Sequence, residues 1–180
     1  MSDWGFTTRA IHVAQEPEQR TGAVTTPIFQ TSTYAQEDVG VHKGYEYSRT
    51  DNPTREVVEE VIASLEGGEH GLAFASGMAA ETTIMHLLKA GDHVVAGDDL
   101  YGGTYRLVDK VLAPWGLRYD LVDQTDLAAL ERAVSDQTRL IWVESPTNPA
   151  LNVVDIEGVV ARRGQALVAV DNTFATPVNQ

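Results

Sequence analysis

An open, mainly parallel α/β sheet flanked by helices is the fold class this sequence predicts, and three observations predict it. Short apolar runs alternate with helically spaced segments from residue 52 onward. The runs are continuous rather than strictly alternating, as suits strands covered on both faces. The residues just after each run, "SGM", "DDLYGG", "SPTNP" and "DNT", are polar, glycine-rich or both. In such sheets a ligand lies beyond the carboxyl ends of the strands, so these exits are where chemistry is sought.

The elements follow in order. Residues 1–51 are rich in Thr, Gln, Gly and Pro without a sustained period, and read as an extended arm. At Asn52 the pattern changes. Asn52 can cap, Pro53 suits a first helical position, and Val57, Val58, Val61, Ile62 and Leu65 recur at helical spacing until Gly67 and Gly68 stop them. Then come a strand "GLAFA", a helix "MAAETTIMHLLKAG", a strand "HVVAGD", a helix "GTYRLVDKVLAPWG" and a strand "RYDLVD". A helix "DLAALERAV", a strand "RLIWVES", a helix "IEGVVARRG" and a strand "ALVAVDN" complete the series. Residues 52–180 are therefore read as one α/β domain behind the arm.

Composition bounds the function. The 180-residue chain can fill a domain and bury a core, with 43% hydrophobic residues. Its 13 basic and 26 acidic residues give a net charge of −13, and no basic stripe is present to follow a phosphate backbone, so nucleic acid is not an expected partner. No apolar segment reaches the roughly 20 residues that cross a bilayer. The start "MSDWGFTTRAIH" lacks the form of a secretion signal. A soluble, cytoplasmic protein without membrane partners is the expectation. Zero cysteines exclude disulfides, thiolate metal sites and a cysteine nucleophile. The histidines show no metal-ligand spacing, no metal is expected, and neither G-x-S-x-G, G-x-G-x-x-G nor a P-loop occurs.

Several exits carry candidate chemistry, each beside a plainer reading. In "FASGMAAE" the chain passes through Ser76 into a helix, leaving the Gly77 and Met78 amides as an anion seat or simply as a capped helix start. In "LYGGTYR", Tyr101 offers an aromatic face and a proton-moving hydroxyl, or merely packs over a loop. "ESPTNP" sets Glu144, Ser145 and Asn148 in a turn that is either functional or ordinary turn chemistry. "YEYSR" places Tyr45, Tyr47 and Arg49 on one side of an extended segment, able to hold a phosphate or to end in a solvated charge. Asp171 is delivered by four apolar residues to the end of what should be a central strand. There it either meets a cationic partner or closes an Asx turn.

Taken together and in this order, "YEYSRTDNPT", "AFASGMAA", "DDLYGGTYR", "WVESPTNP" and "VAVDNTFATP" resemble the Cys/Met-metabolism family of pyridoxal 5'-phosphate (PLP) enzymes, of fold type I. The resemblance implies that Gly77 and Met78 bind the PLP phosphate through their amides, that Tyr101 stacks on the ring and transfers protons, and that Asp171 pairs with the ring nitrogen. It also implies that Thr173 lies under the cofactor, that Asn148 is near its 3-oxygen, and that Tyr47 and Arg49 reach the phosphate of a neighbouring subunit in a homotetramer, a dimer of dimers. Glu46, Tyr47, Glu144 and Ser145 are the implied substrate-side residues. Glu46 resembles the acid of transsulfuration γ-synthases and γ-lyases, where sulfhydrylases and methionine γ-lyase commonly carry an uncharged residue. Methionine γ-lyase also has a cysteine where Gly103 stands, and β-lyases depart further through the "YSR" region, so transsulfuration at the γ-carbon of amino acids is favoured.

One departure stands out. The family's Schiff-base lysine lies in an S-x-T-K motif beyond "VDNT", and Lys43, Lys89 and Lys110 do not match it. The expectation is that the sequence resumes after Gln180 with that motif and that these 180 residues alone are inactive. The competing reading is a truncated, non-catalytic assembly subunit.

Overall fold

The computed structural model describes residues 4–180 and divides them into two units, one up to Ala73 and one from Phe74 to Gln180. In the first unit the arm is not wholly extended. Phe6–His12 forms helix α1, which packs on helix α2, Pro53–Glu66. Seven residues sustain little helix alone, and α1 is held by tertiary contact, with Arg9 Nη1 donating to the Ser64 carbonyl. Between the two helices the chain has only isolated antiparallel bridges, Thr33 with Tyr47 and Asp38 with Val41. Helix α2 has the ends its sequence predicts. Asn52 Oδ1 accepts the Thr54 amide at 2.9 Å, Pro53 is the first helical residue, and Gly67 closes it at φ +66°.

The second unit is built on four parallel strands: β1 (His93–Gly97), β2 (Arg118–Val122), β3 (Thr138–Glu144) and β4 (Leu167–Asp171), in the order β2-β1-β3-β4. Strand alternation sends Val94, Ala96, Leu140 and Trp142 to one face. There they pack with Met85 of helix α3 (Gly77–Met85) and with Leu107 and Leu112 of the helical stretch that follows α4 (Gly102–Arg106). Val95, Ile141 and Val143 go to the other face, against Leu130 of α5 (Leu127–Ala133) and Val159 of α6 (Ile156–Ala161). The result is the three-layer α/β arrangement that continuous apolar strands predict. After α4 the helix runs on as a π-helical segment, Leu107–Leu112, and a 3₁₀ turn, Ala113–Trp115. A short helix α7, Thr176–Asn179, follows β4.

Two expectations are corrected. "GLAFA" is not a strand: residues 71–75 are irregular. The Ala73 amide is taken at 2.8 Å by the Glu59 side chain, and Gly71 lies so close to the Glu59 carbonyl that a Cβ there would collide with it. The segment thus spends its backbone donor on α2 instead of on a ladder. Among the described residues strand β4 is not central either. It is the outermost strand beside β3, and its apolar residues Leu167 and Val170 are exposed among the described residues.

Candidate active site

The strand exits converge. A cavity of about 330 Å³ at the carboxyl ends of β3 and β4 is lined by residues from four of the five motifs, among them Gly77, Met78, Tyr101, Asn148, Asp171 and Thr173. Alternation explains the convergence. Glu144 and Asp171 are register partners at the ends of β3 and β4. They lie on the same face as Trp142 and Ala169, the face covered by α3 and α4. A larger cleft, about 890 Å³, lies in the first unit beside α1 and α2, and no motif residue opens onto it.

One end of the cavity is a helix start. Ser76 caps α3, its Oγ accepting the Ala79 amide at 3.1 Å. The amides of Gly77 and Met78 donate to nothing among the described residues. These donors and the positive end of the helix dipole suit an anion.

The rest of the cavity is acidic. Glu144 is only 6% exposed, and its Oε2 accepts the Tyr101 amide at 2.7 Å. Burial holds its carboxyl above the ordinary glutamate pKa; the Tyr101 amide opposes this shift and the Asp171 charge adds to it. Glu81 is 8% exposed and accepts the Thr104 hydroxyl at 2.7 Å. Its carboxyl is also pushed up, by burial first, against the Thr104 hydrogen bond and with the help of Asp171. Asp171 Oδ1 accepts the Thr173 amide at 3.1 Å and the Thr173 hydroxyl at 2.5 Å. The Asx turn is therefore formed, and the same carboxylate also lines the cavity. No lysine or arginine is among the lining residues, so three carboxylates share one cavity with a helix N-terminus at its rim.

Tyr101, 42% exposed, folds back over Gly103. A Cβ at position 103 would run into its Cε1 and lie 2.8 Å from Met78 Sδ. Here the missing side chain is what lets the ring sit beside Met78.

Not every candidate is gathered. Ser145 is fully buried and faces away, its Oγ accepting the Val154 amide at 3.2 Å. Glu46, Tyr47 and Arg49 belong to the first unit. There Arg49 stacks on Tyr47 with Cζ 4.9 Å from the ring centroid, and Glu46 pairs with His42 at 2.9 Å. Tyr45 is set apart from them, its hydroxyl on Glu56 and its ring 5.5 Å from Tyr34. Sequence reasoning missed Glu81, Pro146 and Phe174 as lining residues. A signal for Glu81 was available: it is the one charged residue of "GMAAETTIM", a full turn after Gly77.

Known proteins resemble the chain over nearly its whole length. The family model for Cys/Met metabolism PLP-dependent enzymes matches residues 7–180. A probable cystathionine gamma-synthase of Herpetosiphon aurantiacus is 56% identical over 180 residues, 99% of this chain and 56% of that protein. A cystathionine beta-lyase of Coxiella burnetii is 52% identical, with 96% of this chain and 46% of that protein covered. Human cystathionine gamma-lyase is 48% identical, with 97% and 44% covered. The crystal structure of metB from Corynebacterium glutamicum superposes with a TM-score of 0.94 at 47% identity, over 97% of this chain and 46% of that one. The chain thus spans about half the length of the relatives it matches.

Proposed function

Because the chain belongs to the Cys/Met metabolism family of PLP-dependent enzymes, we propose that it carries most of the cofactor cradle of a transsulfuration enzyme acting at the γ-carbon of amino acids, a cystathionine γ-synthase or γ-lyase. The observation that carries this reading is the polarity of the cavity, with unsatisfied helix amides at one end and three carboxylates beyond. That polarity suits a ligand with an anionic group and a cationic ring, as PLP has. When bound, PLP supplies an electron sink at its protonated ring. Gly77 and Met78 hold the phosphate. Asp171, oriented by Thr173, keeps the ring nitrogen protonated. Tyr101 gives an aromatic face and a hydroxyl that moves a proton, and Asn148 approaches the ring's 3-oxygen.

Tyr47 and Arg49, stacked as one unit on the arm, are assigned to the phosphate of a neighbouring subunit, in a dimer of dimers. Glu46, Tyr47, Glu144 and Ser145 are assigned to the substrate side. Glu144 opens directly onto the cavity, whereas Ser145 acts there only by fixing the turn. A cytoplasmic location belongs to the same proposal; among the described residues no helix is long and apolar enough to cross a membrane. Lys43, Lys89 and Lys110 do not line the cavity, so the chain alone holds the cofactor non-covalently and is inactive.

The γ-carbon assignment rests on the "YEYSR" stretch, Glu46 first. Similarity to a protein named β-lyase, at 52%, is as strong as to γ-lyases, which makes β-carbon cleavage the second reading. Two measurements test the proposal. Pyridoxamine 5'-phosphate titrated into the purified chain should bind with micromolar to millimolar affinity and be weakened about tenfold or more by Asp171→Asn, with folding unchanged. Equal binding by wild type and variant refutes the ring-nitrogen role. Protein isolated from its native source should release cysteine and 2-oxobutyrate from cystathionine, or form cystathionine from cysteine and an acyl-homoserine. Homocysteine and pyruvate instead would establish the β-carbon reading.

A further inference from the structure

Glu81 lines the cavity but is the one of its three acids given no contact with the cofactor or substrate. Its carboxylate lies on α3 one turn beyond Gly77 and is 8% exposed. Its one hydrogen-bond partner among the described residues is Thr104, whose hydroxyl donates to Oε2 at 2.7 Å and which has no exposed surface at all. Burying a carboxyl for a single hydroxyl contact is unfavourable. An apolar side chain would fill the same space at less cost. What the pair achieves is mechanical. Thr104 lies on α4, the helix that Tyr101 opens, and the Tyr101 carbonyl accepts the Tyr105 amide at 3.1 Å. The segment is gripped on its other side by Glu144, which takes the Tyr101 amide at 2.7 Å. Among the described residues the Tyr101 side chain has no hydrogen bond that would fix it, and its ring position depends on where its backbone is held relative to Met78 and Gly103.

We propose that Glu81 is a positioning residue. Through Thr104 it ties the helix of the tyrosine to the helix of the anion seat, and so sets Tyr101 over the cavity. The proposal rests on the assignment of Tyr101 and of the Gly77 and Met78 amides to one ligand. The tie between α3 and α4 is a property of the chain whether or not that ligand is PLP.

The test uses the full 180-residue chain with Glu81→Leu, Glu81→Gln and Thr104→Val, read by amide hydrogen exchange and by pyridoxamine 5'-phosphate titration. Glu81→Leu and Thr104→Val should each speed exchange at Tyr101 and along Gly102–Arg106 by about tenfold and weaken the titration by a similar factor, while Ile141 in β3 keeps its protection. Glu81→Gln retains an acceptor for the Thr104 hydroxyl and should stay within about twofold of wild type. The Leu/Val double variant should be no worse than either single one, as for partners in one contact. Thr104→Val changes almost no volume and carries the test if Glu81→Leu fails to fold. The proposal is overturned if Thr104→Val leaves exchange at Tyr101 unchanged, if Glu81→Gln is as damaging as Glu81→Leu, or if Ile141 loosens in step with Tyr101. If the exchange pattern holds but wild type binds no pyridoxamine 5'-phosphate, the positioning role stands and the cofactor assignment falls.

Discussion

At the scale of single residues, the cavity depends on atoms that are missing as much as on those present. Gly103 leaves room for the Tyr101 ring beside Met78. Gly103 is the second residue of α4, so alanine there gains less than the roughly 1 kcal/mol it gains over glycine in a helix interior, and its methyl would displace the ring. Gly103→Ala is therefore expected to cost about 1 kcal/mol of stability or less if the half-exposed ring swings outward, and to weaken pyridoxamine 5'-phosphate about tenfold, a loss of roughly 1.4 kcal/mol. Unchanged binding would show that the ring does not contribute. Asp171 illustrates what a sequence makes legible at this scale. Both readings of it, Asx turn and cavity acid, were visible in "VAVDNT", and the structure shows that one carboxylate does both. Glu81 and Thr104 were invisible as a pair, because they lie 23 positions apart and only packing of α3 beside α4 brings them together.

Among the elements, α2 shows how one residue serves two structures. Asn52 caps the helix with Oδ1, and its Nδ2 donates to the Phe29 carbonyl at 3.0 Å, the Ser48 hydroxyl at 3.0 Å and the Tyr34 hydroxyl at 3.2 Å. Asn52→Ala should cost the first unit about 2 kcal/mol, the cap and the orphaned acceptors together. Asn52→Asp keeps the cap but removes the donors. It should therefore preserve α2 while accelerating amide exchange at Thr31, Tyr34 and Ser48, and equal protection in both variants would contradict this division of labour. Helices α2 to α6 and all four strands were legible because their apolar periods are strong. Helix α1 was not, because a two-turn segment has no period to detect, and "GLAFA" misled because apolar content alone cannot reveal that Glu59 captures its backbone.

At the scale of the molecule, charge dominates. The net charge is −13, and two acids are buried in one cavity. Glu81 and Glu144 have folded pKa values above the ordinary 4.5. As pH rises, the unfolded chain releases these protons first, so the stability they contribute is full below about 4.5 and is lost as pH rises through the folded values. Relief of self-repulsion at lower pH acts in the same direction. Denaturant midpoints should fall between pH 5 and pH 7.5, and the double variant Glu81→Gln/Glu144→Gln should flatten that slope. A slope unaffected by the double variant would locate the effect in the surface charge instead. The family and the fold class were both readable at this scale, from five ordered motifs, and both are borne out by the family match and the superposed structures.

The strand order also dictates a history. In a parallel sheet no strand can meet its neighbour through a tight hairpin, and His93 of β1 contacts Thr138 of β3 across 45 positions. Strand β1 is synthesised first of the four, yet one of its edges stays open until β3 emerges from the ribosome. During that interval "VVA", fully enclosed in the finished sheet, is open to a wrong partner. The yield of native protein should therefore depend on how quickly the ribosome delivers residues 118–144.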